Sequence, residues 1–334
     1  MSLPPKEIPL GAMRFNSDSQ KLEYFNGQTW MQVHTFSPNL DGGARGIFAS
    51  GAAAPTGYTQ KIDYITISTA GDAIDFGNTL DTLYEGGATS SNTRGVIAMG
   101  YGQPATVDTI EYVTMSSLGN AKDFGNLVAA KRPTCAFSNG TRGVWAGGGD
   151  PLTNSIDYVT IASTGNAKDF GDAIFVGNYS CANVASPTRG IKAGGRGPSS
   201  VIQNSIEYIM TATLGNSSDF GDCLSNLMFA AGVGNSIRGI WGGGQVPSNT
   251  DLIQKVEIAT LGNAQEFGDL SGSRHAAGGA SSPTRGCFAG GRTPTLLDTI
   301  EYITIATEGD AVDFGNLTEV RANTAGFSNA HGGL

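Results

Sequence analysis

Acidic side chains that recur at one position of the chain are the first candidates for chemistry. An aspartate or glutamate stands directly before a phenylalanine at six places: Asp75, Asp123, Asp169, Asp219, Glu266 and Asp313. Two carboxyl groups held close together could carry out glycoside hydrolysis. Because these six acids occupy equivalent positions, we instead expect them to be spread along the outer edge of the fold as exposed strand or turn carboxylates.

Histidine and cysteine offer little metal chemistry. The histidines are His34, His275 and His331, and none has another histidine or a cysteine at the spacing of a metal site. The cysteines show no CxxC pair, and we expect buried free thiols rather than a disulfide framework: Cys135, Cys181, Cys223 and Cys287. No Walker loop or nucleophile elbow occurs. The sequence therefore predicts no catalytic residue, no metal and no cofactor.

A second recurring residue, an arginine followed by glycine, shows how the chain is organised. It occurs at intervals of 47 to 49 residues, at Arg45, Arg94, Arg142, Arg189, Arg238 and Arg285. A period of this size is typical of propellers and other repeat arrays, whose units must stack to bury a core. We expect these arginines to bond backbone or carboxylate groups between units rather than to form a binding ring.

Each repeat contains four strand-like segments. In the third unit these are 142–148, 155–161, 167–171 and 181–184. The middle segment carries a tyrosine in five units (Tyr64, Tyr112, Tyr158, Tyr208 and Tyr302), which Lys255 replaces in the fifth unit. Together with the phenylalanine after each acid, these tyrosines are expected to pack in the core, because aromatic rings bury the most area.

The two ends of the repeat region complement each other. The first unit begins at its arginine strand, near Ala44, and lacks the small-residue strand that should precede it. The last unit continues into residues 323–329, which match 134–139. We infer an all-β, six-bladed β-propeller over residues 44–334, closed by a C-terminal inner strand, which limits exposed strand edges.

Residues 1–43 lie outside the repeat. A proline-rich, extended segment is followed by strand-like stretches on either side of Asn26-Gly27, a sequence typical of a two-residue hairpin turn. We expect a separate β-hairpin module here.

The repeat resembles the kelch family. The resemblance covers about residues 44–334 and rests on a small-residue inner strand, a second strand ending in a glycine pair such as Gly147-Gly148, a tyrosine strand and an aromatic outer strand. Phe170 and its equivalents stand where kelch repeats usually have tryptophan, and the arginine position also differs. The resemblance implies a propeller that serves in molecular interactions.

Loops of unequal length and composition point to the functional surface. In propeller topology, the connections from the second to the third strand and from the fourth strand to the next unit share one face. Residues that we expect to bind a ligand there are Tyr58, Tyr84, Tyr101, Tyr179, Arg196, Arg274 and Arg292. Variable loops on a rigid scaffold are typical of recognition; drift without function is the alternative.

Composition narrows the classes of partner. The net charge is -9 and no cluster of lysine and arginine occurs, which argues against nucleic acid. No apolar run of about 18 residues is present, so we expect neither a membrane span nor a signal peptide. Folding in the cytoplasm is the corresponding expectation.

The N-terminal region and the repeats also resemble structural proteins of tailed phages, in particular virion proteins of marine cyanophages. The residues concerned are 13–18 and 22–30, with the repeated patterns Asn-x-Ile-Glu/Asp-Tyr and Gly-Asn-Ala-x-Asp-Phe-Gly. The resemblance implies a non-enzymatic tail-fibre, knob or decoration protein, made in the host cytoplasm. Residues 1–43 would attach to other virion proteins, and the propeller would bind a host polysaccharide or protein. A glycan-active enzyme and a generic kelch-like interaction module are the alternatives, and homo-oligomerisation is left open.

Overall fold

The computed structural model describes residues 8–16, 21–32, 44–55, 57–102, 105–133, 135–176 and 180–330. The chain divides into two compact units, Met1–Pro38 and Asn39–Leu334. This division lies five residues before the boundary expected from the repeat. Within the described residues no helix is long and apolar enough to cross a membrane.

The first unit contains a small antiparallel sheet. Its strands β1 (Met13–Asn16), β2 (Lys21–Phe25) and β3 (Trp30–Gln32) pair in that order. The expected two-residue turn is wrong, because Phe25 pairs with Trp30 and four residues connect the strands. The Asn26 side chain accepts the N–H groups of Gln28 and Thr29 at 2.9 and 2.8 Å. This asparagine turn closes the longer loop.

In its described residues the second unit is built from strands and one 3-10 turn, Pro198–Ser200. Its strands are β4 (Arg45–Ala53), β5 (Gly57–Thr66), β6 (Ile74–Asn78), β7 (Leu83–Tyr84), β8 (Gly87–Ser90), β9 (Arg94–Ala98), β10 (Tyr101–Gly102), β11 (Ala105–Thr106), β12 (Thr109–Thr114), β13 (Lys122–Asn126), β14 (Ala136–Ser138), β15 (Arg142–Gly148), β16 (Thr153–Thr160), β17 (Lys168–Asp172), β18 (Ala182–Ala185), β19 (Arg189–Ala193), β20 (Ser205–Met210), β21 (Ser218–Asp222), β22 (Ala231–Gly234), β23 (Arg238–Gly242), β24 (Gln245–Val246), β25 (Ser248–Asn249), β26 (Leu252–Glu257), β27 (Gln265–Asp269), β28 (Gly278–Ser281), β29 (Arg285–Ala289), β30 (Arg292–Thr293), β31 (Thr295–Leu296), β32 (Thr299–Thr304), β33 (Val312–Asn316), β34 (Arg321–Ala322) and β35 (Ala325–Ser328).

Most of these strands form antiparallel sheets with one recurring order. Sheets 2 to 6 are β8-β9-β12-β13, β14-β15-β16-β17, β18-β19-β20-β21, β22-β23-β26-β27 and β28-β29-β32-β33. Sheet 1 is β35-β4-β5-β6, with β34 also paired to β4. We number the strands of each sheet first to fourth in this order. The all-β arrangement is compatible with a β-propeller.

The first strands lie side by side. Neighbouring pairs are β8 with β14, β14 with β18, β18 with β22, β22 with β28, and β35 with both β28 and β8. Serine hydroxyls connect several of them: Ser138 Oγ donates to the Ser90 carbonyl at 2.7 Å, and Ser90 Oγ to the Ser328 carbonyl at 2.6 Å. Their small side chains allow this close approach.

The repeated arginines tie adjacent sheets together. Each guanidinium donates to a carbonyl at the end of the third strand of the following sheet, at 2.8 to 3.2 Å: Arg45 to Met115, Arg94 to Ile161, Arg142 to Thr211, Arg189 to Ile258, Arg238 to Ile305 and Arg285 to Ile67. The expectation of backbone bonding between units is confirmed. Because their guanidinium groups make these bonds, the arginines have a structural role.

Aromatic residues of the third and fourth strands pack as the sequence predicted. In five sheets the tyrosine and phenylalanine rings meet edge to face with centroids 5.9 to 6.1 Å apart. The repeated arginine lies over each tyrosine ring at 4.5 to 4.7 Å. In sheet 5, where Lys255 replaces tyrosine, Arg238 pairs with Glu257 instead, at 2.9 Å.

Candidate functional site

Two sets of connections meet at one edge of the second unit. Within the described residues, five of the connections from a fourth strand to the next first strand pair with the segment between the second and third strands of that next sheet. The paired residues are Tyr84 with Tyr101, Arg132 with Gly149, Met228 with Gln245, His275 with Arg292, and Arg321 with Ala53. We call this the loop edge. Backbone pairing makes it a firm surface.

The predicted ligand-binding residues are distributed around the loop edge. Tyr58 is half-buried in β5, Arg196 is half-buried beside the 3-10 turn, and Arg292 is exposed in β30. Tyr101 is half-buried in β10, next to the backbone of Tyr84. Tyr179 lies outside the described residues. Tyr84 lies beside Tyr101, and Arg274 precedes His275, which pairs with Arg292, but the structure does not gather all the described positions into one cluster.

Arg274 differs from the expectation, because its side chain is buried. Its guanidinium pairs with Glu301 at 2.5 Å and donates to the Gly290 carbonyl at 3.2 Å. Burial lowers the pKa of this guanidinium, and the neighbouring carboxylate opposes that effect. A buried arginine bonded in this way supports the fold and is not a surface contact for a ligand.

Arg274 is the partner of one member of a buried polar series that sequence reasoning missed. The residue that precedes the third-strand tyrosine, or its Lys255 replacement, is buried in every sheet: Asp63, Glu111, Asp157, Glu207, Gln254 and Glu301. Each accepts a backbone N–H from the segment after the fourth strand of the preceding sheet at 2.9 to 3.2 Å. The repeated Ile-Asp/Glu-Tyr pattern was the available signal.

Four of these residues have a buried cationic partner. Arg321 pairs with Asp63, Lys131 with Asp157, Lys192 with Glu207, and Arg274 with Glu301. Burial lowers the pKa of both lysines, while the partner carboxylates oppose this change. The described residues provide no such cation for Glu111 or for the neutral Gln254.

A charged cluster stands at the loop edge between sheets 2 and 3. Arg132 binds Glu85 at 2.7 Å and Asp150 at 2.5 Å, and its guanidinium lies 4.6 Å from the centre of the Tyr101 ring. Glu85 is 8% exposed, and burial raises its pKa, although the Arg132 charge acts in the opposite direction. Tyr101 is the predicted site residue that this cluster includes.

Beside this cluster the first strands open into a pocket of about 90 Å³, which we call the inner pocket. Equivalent residues of five sheets line its rim: Glu85, Ser180, Phe229, Ala276 and Asn323. All five have positive φ, between 54° and 66°. Such backbone is costly for residues other than glycine and is held only where the surroundings fix it.

Backbone bonds pass along this rim from sheet to sheet. The N–H of Phe229 donates to the Ser180 carbonyl at 2.5 Å, that of Ala276 to Phe229 at 2.8 Å, and that of Asn323 to Ala276 at 2.7 Å. The left-handed backbone therefore serves an inter-sheet chain of hydrogen bonds. The pocket rim is fixed by backbone rather than by long side chains.

The cysteines correct one expectation. Cys135 and Cys181 form a disulfide with a Cα–Cα distance of 5.9 Å, so the prediction of free thiols is wrong for this pair. They precede β14 and β18, and stacking brings these equivalent positions together although they are 46 residues apart in sequence. Cys223 and Cys287 are free and buried, and burial raises the pKa of each thiol to about 12.

The remaining chemical candidates are placed as follows. All six acids that precede the phenylalanines are exposed on fourth strands, as expected. His275 is half-buried with its ring 5.8 Å from that of Phe229, and burial lowers its pKa. His34 and His331 lie outside the described residues. Among the residues described, no group of three or more His, Cys, Asp or Glu could hold a metal ion.

No protein-family model matches the chain, and no curated protein matches it.

Proposed function

We propose that this protein is a non-enzymatic structural protein of a phage virion: a tail fibre, knob or decoration protein. In this proposal the second unit is a closed six-bladed, kelch-like β-propeller. Its loop edge binds a host surface glycan or a neighbouring virion protein, and the first unit attaches the protein to the particle.

The closed propeller is supported by how the chain ends meet. The C-terminal strand β35 pairs with β4, the first strand of the repeat region, and also lies beside β8 and β28. Arg285 of sheet 6 donates to the Ile67 and Ser68 carbonyls of sheet 1 at 3.2 and 2.9 Å. These are the contacts that a ring requires of its first and last blades.

The recognition function is supported mainly by one observation: the two variable sets of loops pair with each other at one edge. A rigid scaffold with dissimilar loops at one edge suits recognition. Tyr101 and Arg292 offer stacking and hydrogen bonding there, and tyrosine and arginine are enriched in binding surfaces. The acids on the fourth strands belong to successive repeats, which favours binding over cleavage of a glycan.

The test of recognition is an array of host envelope polysaccharides probed with the full-length protein, with turnover followed on the same material. Binding without cleavage is the expected result. Cleavage would replace the proposal with a glycan-active enzyme. Absence of binding to every polysaccharide would rule out glycan recognition.

Attachment is tested separately by adding full-length protein or fragment 44–334 to particles that lack it. We expect the fragment to fold but not to be incorporated. Incorporation of the fragment at full occupancy would contradict the attachment role of residues 1–43.

A further inference from the structure

The inner pocket offers a more specific site than the loops around it. It lies where the first strands of sheets 1, 2, 4, 5 and 6 begin, and its walls are mainly glycine and alanine backbone from these strands. A concave, preformed site with a few converging polar groups is the usual form of a small-ligand site. We propose that the inner pocket binds a neutral, polyhydroxylated end group: the terminal sugar residue of a glycan. This inference rests on the proposed function.

Size limits the ligand to an end group. The pocket volume is about 90 Å³, several times the roughly 10–15 Å³ that one water molecule needs by the same measure. A space of this size receives the hydroxyl-bearing edge of one sugar ring, and it excludes a run of linked residues. The rest of the glycan would lie over the loop edge.

The polar wall fits hydroxyl groups. The Glu85 side chain is nearly buried and held by Arg132, so its carboxylate is a fixed acceptor for sugar hydroxyl groups. Asn323, which precedes the neighbouring first strand β35, adds a side-chain amide that donates and accepts on the same rim. Fixed groups bind with less entropy loss than mobile ones.

The apolar wall fits the C–H face of a sugar ring. Phe229 is half-buried on the rim, and its ring packs against His275 at 5.8 Å between centroids. An aromatic face and a carboxylate on one rim suit a ligand that is both hydroxylated and apolar.

Charge favours a neutral ligand. An anion would meet the Glu85 carboxylate, while the nearby cation Arg132 is already bonded to Glu85 and Asp150. Glucose and glucuronic acid therefore form a matched pair of probes, because they differ mainly in one carboxylate.

The test measures binding of glucose, galactose, mannose, N-acetylglucosamine and glucuronic acid to the full-length protein by ligand-observed NMR. We expect at least one neutral sugar to bind and glucuronic acid to bind about tenfold more weakly than glucose or not at all. Glu85→Gln and Phe229→Gly should each weaken neutral-sugar binding by about tenfold or more. Glycine is chosen at position 229 because it tolerates the positive φ.

The control is Ser199→Gly, which makes the same kind of backbone change at an exposed position of positive φ outside the inner pocket and keeps Glu85 and Phe229. It should bind like the parent, and melting curves should show all three variants folded. Unchanged binding by folded Glu85→Gln and Phe229→Gly, or binding of none of the neutral sugars by the parent, would overturn the proposal.

The outcomes distinguish the proposal for the inner pocket from the proposal that the loop edge recognises a polysaccharide. If the folded pocket variants still bind polysaccharide on the array, recognition by the loop edge stands and the inner pocket is not the site. If a neutral sugar binds the pocket while no polysaccharide binds, the pocket stands and polysaccharide recognition fails.

Discussion

Glu111 is the ionisable member of the third-strand series that lacks a cation among the described residues. It accepts the Leu80 N–H at 3.0 Å, and Asp81 and Asp123 are the charged groups that act on it. Burial, reinforced by both aspartates, raises its pKa to about 7 against the opposing Leu80 bond. Gln254 fills the equivalent place in sheet 5 with a neutral amide, which shows that the site accepts an uncharged side chain.

Glu111 should therefore make stability fall as pH rises from about 4.5 to 7. In that window the folded protein keeps a proton that the unfolded chain, with an ordinary glutamate pKa of 4.5, has already lost. At about 1.4 kcal/mol per pKa unit, the loss is on the order of 3 kcal/mol. Glu111→Gln should remove this dependence and be more stable than the parent at pH 8, as measured by urea denaturation across the range.

The reciprocal change Gln254→Glu is the matched control. It should introduce the same kind of pH dependence in sheet 5, because a buried carboxylate would replace the amide. An unaltered slope between pH 4.5 and 7 in Glu111→Gln would show that other groups cause it.

At the scale of elements, close packing of the first strands decides which residues they accept. A Cβ on Gly279 of β28 would lie 2.0 Å from the Gly232 carbonyl oxygen of β22, and a Cβ on Gly326 of β35 would lie 2.2 Å from that of Gly279. The clashing atoms belong to the backbone of the neighbouring strand, so no flexible side chain can move aside. Glycine is required here by approach of the neighbouring strand.

Gly279→Ala should destabilise the protein by about 1–3 kcal/mol or more, because inserting a methyl group forces these strands apart. Gly272→Ala is the control, since nothing lies within 4 Å of the added Cβ and no positive φ opposes it. The control should be unchanged or up to about 1 kcal/mol more stable. Guanidinium unfolding measures both, and equal stability of the two variants would contradict the tight contact between β22 and β28.

At the scale of the whole molecule, the last strand completes the first sheet. Ser328 pairs with Gly46, and the Asn329 side chain accepts the Arg45 N–H at 2.7 Å. Thr324 Oγ1 donates to the Ala49 carbonyl at 3.0 Å. Removing β35 therefore exposes an edge of β4 and also leaves β8 and β28 without their shared neighbour.

Deletion of residues 323–334 should lower the melting temperature of the whole second unit in one cooperative transition. A permutant in which 323–334 precede residue 44 through a short glycine-serine linker should recover the parent stability, because it restores the same strand. Calorimetry distinguishes this result from fraying of one end. A deletion variant that melts like the parent would contradict the proposal that β35 closes the ring.

Much of the architecture could be predicted from the sequence because equivalent residues recur at a regular spacing. The spacing of the arginines predicted repeated β-units and bonding between them, and the alternating segments predicted the strands within each sheet. The match between 323–329 and 134–139 placed the last strand beside Arg45. The outward acids and the packed tyrosines followed from equivalence between repeats.

Other contacts between neighbouring sheets could not be predicted from the sequence. Local pattern cannot show that Cys135 reaches Cys181, that Arg274 turns inward to Glu301, or that no described cation stands beside Glu111. The positive φ values around the inner pocket are likewise fixed by hydrogen bonds to the next sheet. The repeated unit could be predicted from the sequence because the same residue types return every 47 to 49 residues. The partners of buried charges and the pocket depend on how one unit stacks on the next, which is decided by packing between residues distant in the chain.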